Sequence, residues 1–265
     1  MPRVLAHVSR PFVAVGNRLP NGWGDAARQF ALVFLAYQGY QIVRGLTDAQ
    51  AALAFANAER IIDIEQALGS FFEPALQAAL ISNVWVIDLA NFLYMNSHFV
   101  VTTSFLVWLY LFRNSHFYFV RNMFMVAMVL ALIGYGLYPT APPRLIPEAG
   151  FVDTIAQFTA VQQDSQAVSF LVNQYAAVPS MHIGFAAMVG ATGVALARHD
   201  LGRVLWALYP VLVFGVIVVT ANHFWIDAAA GALVALLSYL VADRVLARAR
   251  PGVWSFRPAP GEAAA

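Results

Sequence analysis

The chain contains no cysteine and no lysine, and it carries little charge of either sign. The lack of cysteine excludes disulfides, iron–sulfur ligation and thiol catalysis. The lack of lysine excludes Schiff-base chemistry and a phosphate-binding lysine. Only 11% of the 265 residues are charged and the net charge is +1, whereas a soluble domain has about 25% charged residues. This composition excludes an ordinary cytosolic enzyme, a nucleic-acid-binding protein and a disordered chain.

Apolar residues are abundant instead, at 60% of the chain with a mean hydropathy of +0.66. About 20 apolar residues cross a bilayer as a helix. Six runs approach this length, at residues 27–43, 98–112, 117–138, 181–197, 204–221 and 225–246. We therefore expect an all-α integral membrane protein of the plasma membrane, with a six-helix bundle over residues 27–250.

The arginines predict the orientation of these spans. If residues 1–26 are cytoplasmic, twelve of the 15 arginines lie on the inner side, and only Arg44, Arg60 and Arg144 lie outside. This asymmetry follows the positive-inside rule. Both termini are then cytoplasmic, and segments 44–97 and 139–180 and the turn 222–224 face outward. Residues 251–265 are rich in proline, glycine and alanine, which predicts a disordered cytoplasmic tail.

The outer segment 44–97 has helical signals of its own. Residues 47–50 read as a capping box, and Gly69 is a plausible helix end. One face of this helix would carry Leu53, Asn57, Ile61, Ile64 and Leu68, with Asp48, Glu59, Asp63 and Glu65 elsewhere. Such a helix lies either along the outer membrane interface or on top of the bundle. A second short helix would run from Glu73 toward Leu80.

Three polar clusters share the outer membrane surface, at residues 138–144, 178–182 and 222–227. In the last cluster, His223 and Asp227 are four residues apart, so they are neighbours on a helix. The carboxylate can then fix the imidazole tautomer and leave the other nitrogen nucleophilic. The alternative is a structural His–Asp pair at a helix entrance.

The other two clusters offer an acid and a cation. Ser180 follows a proline and fits a helix N-cap, which places His182 in a first turn that attracts anions. Prolines stiffen the chain before Arg144, whose guanidinium suits phosphate oxygens. The alternatives are an interfacial histidine at 182 and a loop arginine paired with Glu148 or Asp153.

These residues resemble the motifs of the type 2 phosphatidic acid phosphatase superfamily, which includes lipid phosphate phosphatases and vanadium haloperoxidases. The family motifs read K-x6-R-P, P-S-G-H and S-R-x5-H-x3-D. The chain has A-P-P-R ending at Arg144, P-S-M-H ending at His182 and H-x3-D at 223–227. It looks most similar to the branch of inositol-phosphorylceramide synthases, and the resemblance covers about residues 90–246.

The resemblance implies a role for each matching residue. His223 would attack phosphorus and become phosphohistidine, with Asp227 orienting it. His182 would protonate the leaving oxygen and then serve as base for the acceptor. Arg144 and Ser180 would bind the phosphate. No metal or other cofactor is implied, and the partner would be a phospholipid, a sphingolipid or a polyprenyl phosphate in the bilayer.

The chain departs from the family at its other cations. The first-motif lysine is absent, Met181 replaces the second-motif glycine, and Val216 and Ile217 replace the third-motif Ser-Arg pair. One remaining cation fits a singly charged phosphodiester better than a monoester, because unneutralised charge at low dielectric is costly. This favours a lipid phosphotransferase over a phosphatase, unless Arg44 or Arg60 restores positive charge.

Two other functions stay open at this point. One is a zinc hydrolase with His182, His223 and Asp227 as ligands, which the adjacent Arg144 disfavours. The other is a non-catalytic lipid-binding or transport bundle. A headgroup pocket would draw on Tyr94, His98, Asn173, Tyr175 and Asn222, and the alternative for Tyr94 and His98 is a role as interface anchors.

Overall fold

The computed structural model describes residues 19–46, 50–158 and 175–256, and over these ranges the chain is helical with no β-strand. A single parallel bridge joins Thr140 to Ala176. The helices are α1 (Gly22–Leu46), α2 (Ala51–Ala67), α3 (Glu73–Leu80), α4 (Val84–Phe112), α5 (Asn114–Leu137), α6 (Thr154–Phe158), α7 (Met181–Leu196), α8 (Asp200–Val219), α9 (Trp225–Val241), α10 (Ala247–Ala249) and α11 (Pro251–Trp254). Short 3-10 turns at Pro143–Leu145 and Pro147–Ala149 follow α5, and a π-helical turn at Ala242–Leu246 joins α9 to α10.

Four helices within the described ranges are long and apolar enough to cross a membrane: α4, α5, α8 and the continuous stretch Trp225–Ala249. They mark the chain as an integral membrane protein. The second of the predicted spans begins earlier than expected, because α4 starts at Val84 and not near residue 98. Its 29 residues extend over about 44 Å, well beyond a hydrocarbon core of about 30 Å.

The other two predicted spans correspond to α1 and α7, which do not combine the length and the hydropathy of the four helices above. α1 has 25 residues but carries Asp25, Arg28 and several glutamines, which lower its hydropathy. α7 is apolar but has only 16 residues, or about 24 Å. It packs against α8 and α9 and is buried on nearly all sides, as expected for a core helix.

Helix α2 lies on the bundle with a face that only partly matches the predicted one, since Asn57 and Ile61 are buried but the other three predicted residues are not. Leu53, Ile64 and Leu68 are 44%, 48% and 63% exposed, whereas Glu65 is fully buried. The buried side is instead Ala54, Asn57, Ala58, Ile61, Ile62 and Glu65. The helix ends at Ala67, and Gly69, two residues later, has a φ of +66°, the left-handed conformation expected of a glycine after a helix end. Residues 47–49 of the predicted capping box lie outside the described residues.

The short helix α3 runs over the expected residues, from Glu73 with Pro74 in its first turn to Leu80. The predicted tail, residues 251–265, differs from expectation at its beginning. The sequence predicts disorder from residue 251, but Pro251–Trp254 is helical. Phe256 packs against His116 and Phe119, with ring centroids 4.8 and 5.3 Å away. Residues 257–265 lie outside the described residues.

Candidate active site

The three polar clusters of the sequence meet at one end of the bundle and are joined through their backbones. The amide of Thr140 donates to the carbonyl of Tyr175 at 2.8 Å, and the amide of Ala177 donates back to Thr140 at 3.2 Å. The amide of Arg144 donates to the carbonyl of Ala221 at 2.7 Å. The amide of Ser180 donates to the carbonyl of Asp227 at 3.0 Å. The relative positions of the clusters are therefore set by main-chain hydrogen bonds, which no side-chain substitution removes directly.

His223 and Asp227 form the expected pair at the start of α9. Nδ1 of His223 lies 3.3 Å from Oδ2 of Asp227, which also accepts the amide hydrogen of Phe224 at 3.0 Å. Asp227 is fully buried and His223 is 5% exposed. With Nδ1 directed at the carboxylate, Nε2 is the nitrogen left for chemistry. Ala221 precedes this turn with a φ of +52°, a strained conformation typical of functional sites.

His182 lies in the first turn of α7 among aromatic rings. Its ring centroid is 5.6 Å from that of His223, 4.5 Å from that of Tyr94 and 4.7 Å from that of His98. His98 in turn stacks on Phe185 at 5.0 Å. Two rings from α4 therefore fix the plane of the imidazole that faces the His223 side chain.

Arg144 is buried and held on two sides. Its Nε donates to Oδ1 of Asn222 at 3.0 Å, and NH1 pairs with Oδ2 of Asp153 at 3.2 Å. Asn222 is itself anchored by hydrogen bonds to the carbonyl and hydroxyl of Thr220, at 3.1 and 2.9 Å. Arg144 therefore pairs with Asp153, which was the alternative drawn from the sequence. The same arginine also lies at the site.

A cavity of about 290 Å³ opens between these groups. Its lining includes most of the residues singled out in the sequence: Tyr94, His98, Arg144, His182, Asn222 and His223. Tyr37, Tyr40 and Gln41 of α1, Met95 and Phe99 of α4, and Tyr135, Pro142, Ala176, Ala177, Met181 and Phe185 complete it. Of this second group, only Pro142 and Met181 fall within the sequence motifs, and the others were not identified because no motif spacing connects them.

Several sequence-predicted residues lie apart from this lining. Ser180 is fully buried, and its hydroxyl has no hydrogen-bond partner among the described residues. Asp227 lies behind His223. Tyr175 contributes its carbonyl to Thr140, and its ring packs edge-on against Phe55 at 6.1 Å. Asn173 lies outside the described residues.

Arg144 is the only arginine that lines the cavity within the described part of the chain. Val216 and Ile217, which stand at the family's Ser-Arg positions, are buried, and Ile217 packs in an apolar cluster with Ile183. Arg60 is exposed on α2, where its NH1 lies 3.4 Å from Oδ1 of Asn57. The side chain of Arg44 lies outside the described residues. Among the described residues, the first cavity therefore has a single arginine, which is the shortage of positive charge that the sequence predicts.

A second cavity of about 360 Å³ adjoins the first, and its lining is mainly apolar, with Gln29 and Arg121 among the few polar residues. It lies between α1, α4 and α5, and Tyr37, His98, Phe99 and Phe185 line both cavities. Along α4 it reaches from His98 to Leu111, which is about 20 Å at 1.5 Å per residue. One elongated molecule can therefore occupy both cavities, with a polar end beside the two histidines.

Buried polar side chains of α2, α3 and α4 bind the backbone around the site, and sequence reasoning missed them. Asn57 donates to the carbonyl of Pro139 at 2.8 Å. Gln77 bridges Val152 and Val219, and Asn91 donates to the carbonyl of Thr154 at 3.0 Å. Glu65 and Glu73 accept amide hydrogens from the start of α9. Their burial makes these bonds costly to break, because each would leave an unpaired polar group.

Among the described residues, no three His, Cys, Asp or Glu side chains are grouped so that they could hold one metal ion. The ligand set of the zinc alternative, His182, His223 and Asp227, is not such a group, because Asp227 lies on the far side of His223 and is bonded to its Nδ1.

Comparison with known families gives one match. A family model described as the PAP2 superfamily matches residues 59–241, which include all three motif clusters. No curated protein and no solved structure matches the chain.

Proposed function

The chain belongs to the PAP2 superfamily, and from that premise we propose that it is a membrane lipid phosphotransferase that works through phosphohistidine. Family membership supports chemistry of the lipid phosphatase and phosphotransferase type. The observation that carries the choice of a transferase is the single arginine at the described cavity. A phosphodiester has one negative charge at neutral pH, whereas a monoester has nearly two.

Arg144 is also partly neutralised before substrate arrives, because Asp153 lies 3.2 Å from its NH1. A doubly charged phosphate would bring uncompensated charge into a cavity with largely apolar surroundings, which is unfavourable. A diester leaves one charge to be met by Arg144. This supports transfer of a phospho-headgroup, the chemistry of the inositol-phosphorylceramide synthase branch.

The proposed reaction has two balanced steps. First, Nε2 of His223 bonds to phosphorus as the P–O bond to the donor lipid breaks, and His182 gives its proton to the departing oxygen. Then an acceptor hydroxyl gives its proton to His182 as its oxygen bonds to phosphorus and the N–P bond breaks. Asp227 stabilises the positive charge on His223 in both steps, and no step requires a metal.

The apolar cavity supports a lipid as donor or acceptor. Its polar neighbour holds Arg144 and both histidines, and four residues line the two cavities together. A hydrocarbon chain in the apolar cavity would place its headgroup at the reacting atoms. Six spans, cytoplasmic termini and a site on the outer side complete the proposal, on the basis of the arginine distribution.

The test is to incubate purified protein with a polyol-headed lipid phosphodiester and a lipid alcohol acceptor, and to follow products by mass spectrometry. We expect headgroup exchange that depends on the acceptor, with little inorganic phosphate from phosphatidic acid. Faster phosphate release from the monoester, with no exchange, would instead support the alternative, a lipid phosphate phosphatase with the same histidine chemistry.

Substitution of the two histidines tests the mechanism. His223→Ala and His182→Ala should each lose activity, while His199→Ala, at an exposed residue before α8, should keep it. Full activity in either of the first two variants would reject the phosphohistidine mechanism. Binding of lipid without turnover in the unmodified protein would favour a non-catalytic bundle.

A further inference from the structure

Three consecutive backbone amides at the start of α9 are each capped by a different carboxylate. The carboxylates come from α9 itself, from α3 and from α2, so residues far apart in sequence meet at one helix end. The bonds run from Phe224 to Asp227 at 3.0 Å, from Trp225 to Glu73 at 2.9 Å and from Ile226 to Glu65 at 3.2 Å. The first-turn amides that commonly bind phosphate are thus already occupied by the protein.

Glu65 and Glu73 are both fully buried. Their second oxygens, Oε2 in each case, have no hydrogen-bond partner among the described residues. In that part of the chain neither carboxyl pairs with an arginine or a histidine. Two buried carboxylates without a cation are costly. Burial and the neighbouring Glu73 raise the pKa of Glu65 to about 9, so the Glu65 carboxyl is protonated at neutral pH.

We propose that Glu65 and Glu73 are positioning residues of the reaction: they cap the first amides of α9 and so fix the position of His223 relative to His182. This inference rests on the proposed function. His223 directly precedes this helix start, and Asp227, which bonds its Nδ1, caps the amide before those of Trp225 and Ile226. Loss of either glutamate cap would therefore release the turn that aims the imidazole.

Glu65 also gives the protein a defined pH response. The charged groups that face Glu65 are Glu73 from α3 and Asp227 from the start of α9. The pKa of Glu65 is higher in the folded chain than its ordinary value of 4.5. The unfolded chain therefore binds fewer protons between about pH 4.5 and 9, and stability falls as pH rises through this window. Above it, loss of the Glu65 proton adds a buried negative charge beside Asp227 at this helix turn.

Four variants of the full chain test the inference. Glu65→Gln keeps an oxygen for the Ile226 amide and should rescue most of the activity that Glu65→Leu loses. Glu73→Leu should lose the cap on Trp225, and kcat should fall about tenfold with KM little changed. Glu65→Leu should lose the cap and most activity. Glu59→Gln, at an exposed residue of α2, is the control.

Two results would overturn the inference: a Glu65→Leu or Glu73→Leu protein as active as the unmodified one, or a Glu65→Gln protein as inactive as Glu65→Leu. Thermal unfolding between pH 5 and 9 gives a readout that needs no turnover. The unmodified protein should lose stability across this range, and Glu65→Gln should lose less. Equal slopes for both would show that Glu65 holds no extra proton in the folded chain, even if no lipid is turned over. Turnover that survives His223→Ala would reject the proposed function and leave this stability comparison intact.

Discussion

The backbone of Gly231 on α9 lies against the carbonyl oxygen of Ser180, where a Cβ atom on residue 231 would be only 2.1 Å away. The same crossing places Gly184 of α7 near the carbonyl of Gly231, so both helices need a glycine at the contact. This contact brings the first turns of α7 and α9 together. The spacing of His182 and His223 therefore depends on two residues that carry no functional group.

Replacing Gly231 by alanine should separate the two histidines. The obstructing atom is backbone, so the helices must move, at a cost of about 1–3 kcal/mol or more. We expect activity to fall at least tenfold, with a lower unfolding temperature. Gly215→Ala on α8 meets nothing within 4 Å and serves as the control. An active Gly231→Ala protein would show that the helix crossing tolerates displacement.

Replacing Asp227 by asparagine should keep the size of the side chain but remove the charge that orients the His223 imidazole. The amide can still accept the Phe224 hydrogen, but its NH2 group or its neutral oxygen cannot stabilise a positive His223. We expect kcat to fall by about 10²–10⁴-fold, measured by headgroup exchange and by trapping of acid-labile phosphoprotein. Asp63→Asn, at an exposed residue of α2, should have no effect. Unchanged phosphoprotein formation in Asp227→Asn would contradict the assigned role.

Arg144→Lys keeps the charge but loses the planar group that bonds both Asn222 and Asp153. A hydrogen bond to a charged group contributes about 1.5–3 kcal/mol, so kcat/KM should fall by about 10- to 150-fold. Arg203→Lys is the matched control, since Arg203 is exposed and pairs only with Asp200 in the described structure. A similar loss in both variants would indicate a general effect of removing arginine.

The apolar cavity can be filled from α4. Thr103 lines it, whereas its neighbour Ser104 is exposed and does not. Thr103→Trp should therefore weaken turnover of long-chain lipids, with little effect on a short-chain soluble analogue, and Ser104→Trp should leave both unchanged. Equal turnover of long-chain lipid by the two variants would show that the chain lies elsewhere.

The sequence predicted the residues that share the polar cavity because their chemistry and their positions at helix ends are local signals. Arg144, His182 and His223 each stand beside a proline or a helix start, and threading the apolar runs places them at one surface. The same reasoning located the apolar helices but misplaced the start of α4, because Asp88 and Asn91 lower the hydropathy of its first turns.

Glu65 shows why the rest could not be predicted. An acidic residue beside Ile64 on an amphipathic helix reads as solvent-facing, and its partner Ile226 is 161 residues away. The apolar pattern of α2 misled in the same way, since Leu53, Ile64 and Leu68 are exposed and small alanines form the contact. Glu65 is buried against the start of α9, which is far away in the sequence, and no local spacing of residues indicates that contact.

The polar bonds from α2, α3 and α4 have a further consequence for how the molecule opens. Asn57, Glu65, Glu73, Gln77 and Asn91 each hold a carbonyl or an amide of the segments around the site. Local unfolding of these helices would leave buried polar groups around the site without partners, and unfolding around the site would do the same to the helices. The helices and the site segments should therefore exchange their amide hydrogens as one cooperative unit. The amides of Trp225 and Ile226 would then be protected to the same degree as those within α2, and these helices and the segments around the site would share one opening free energy.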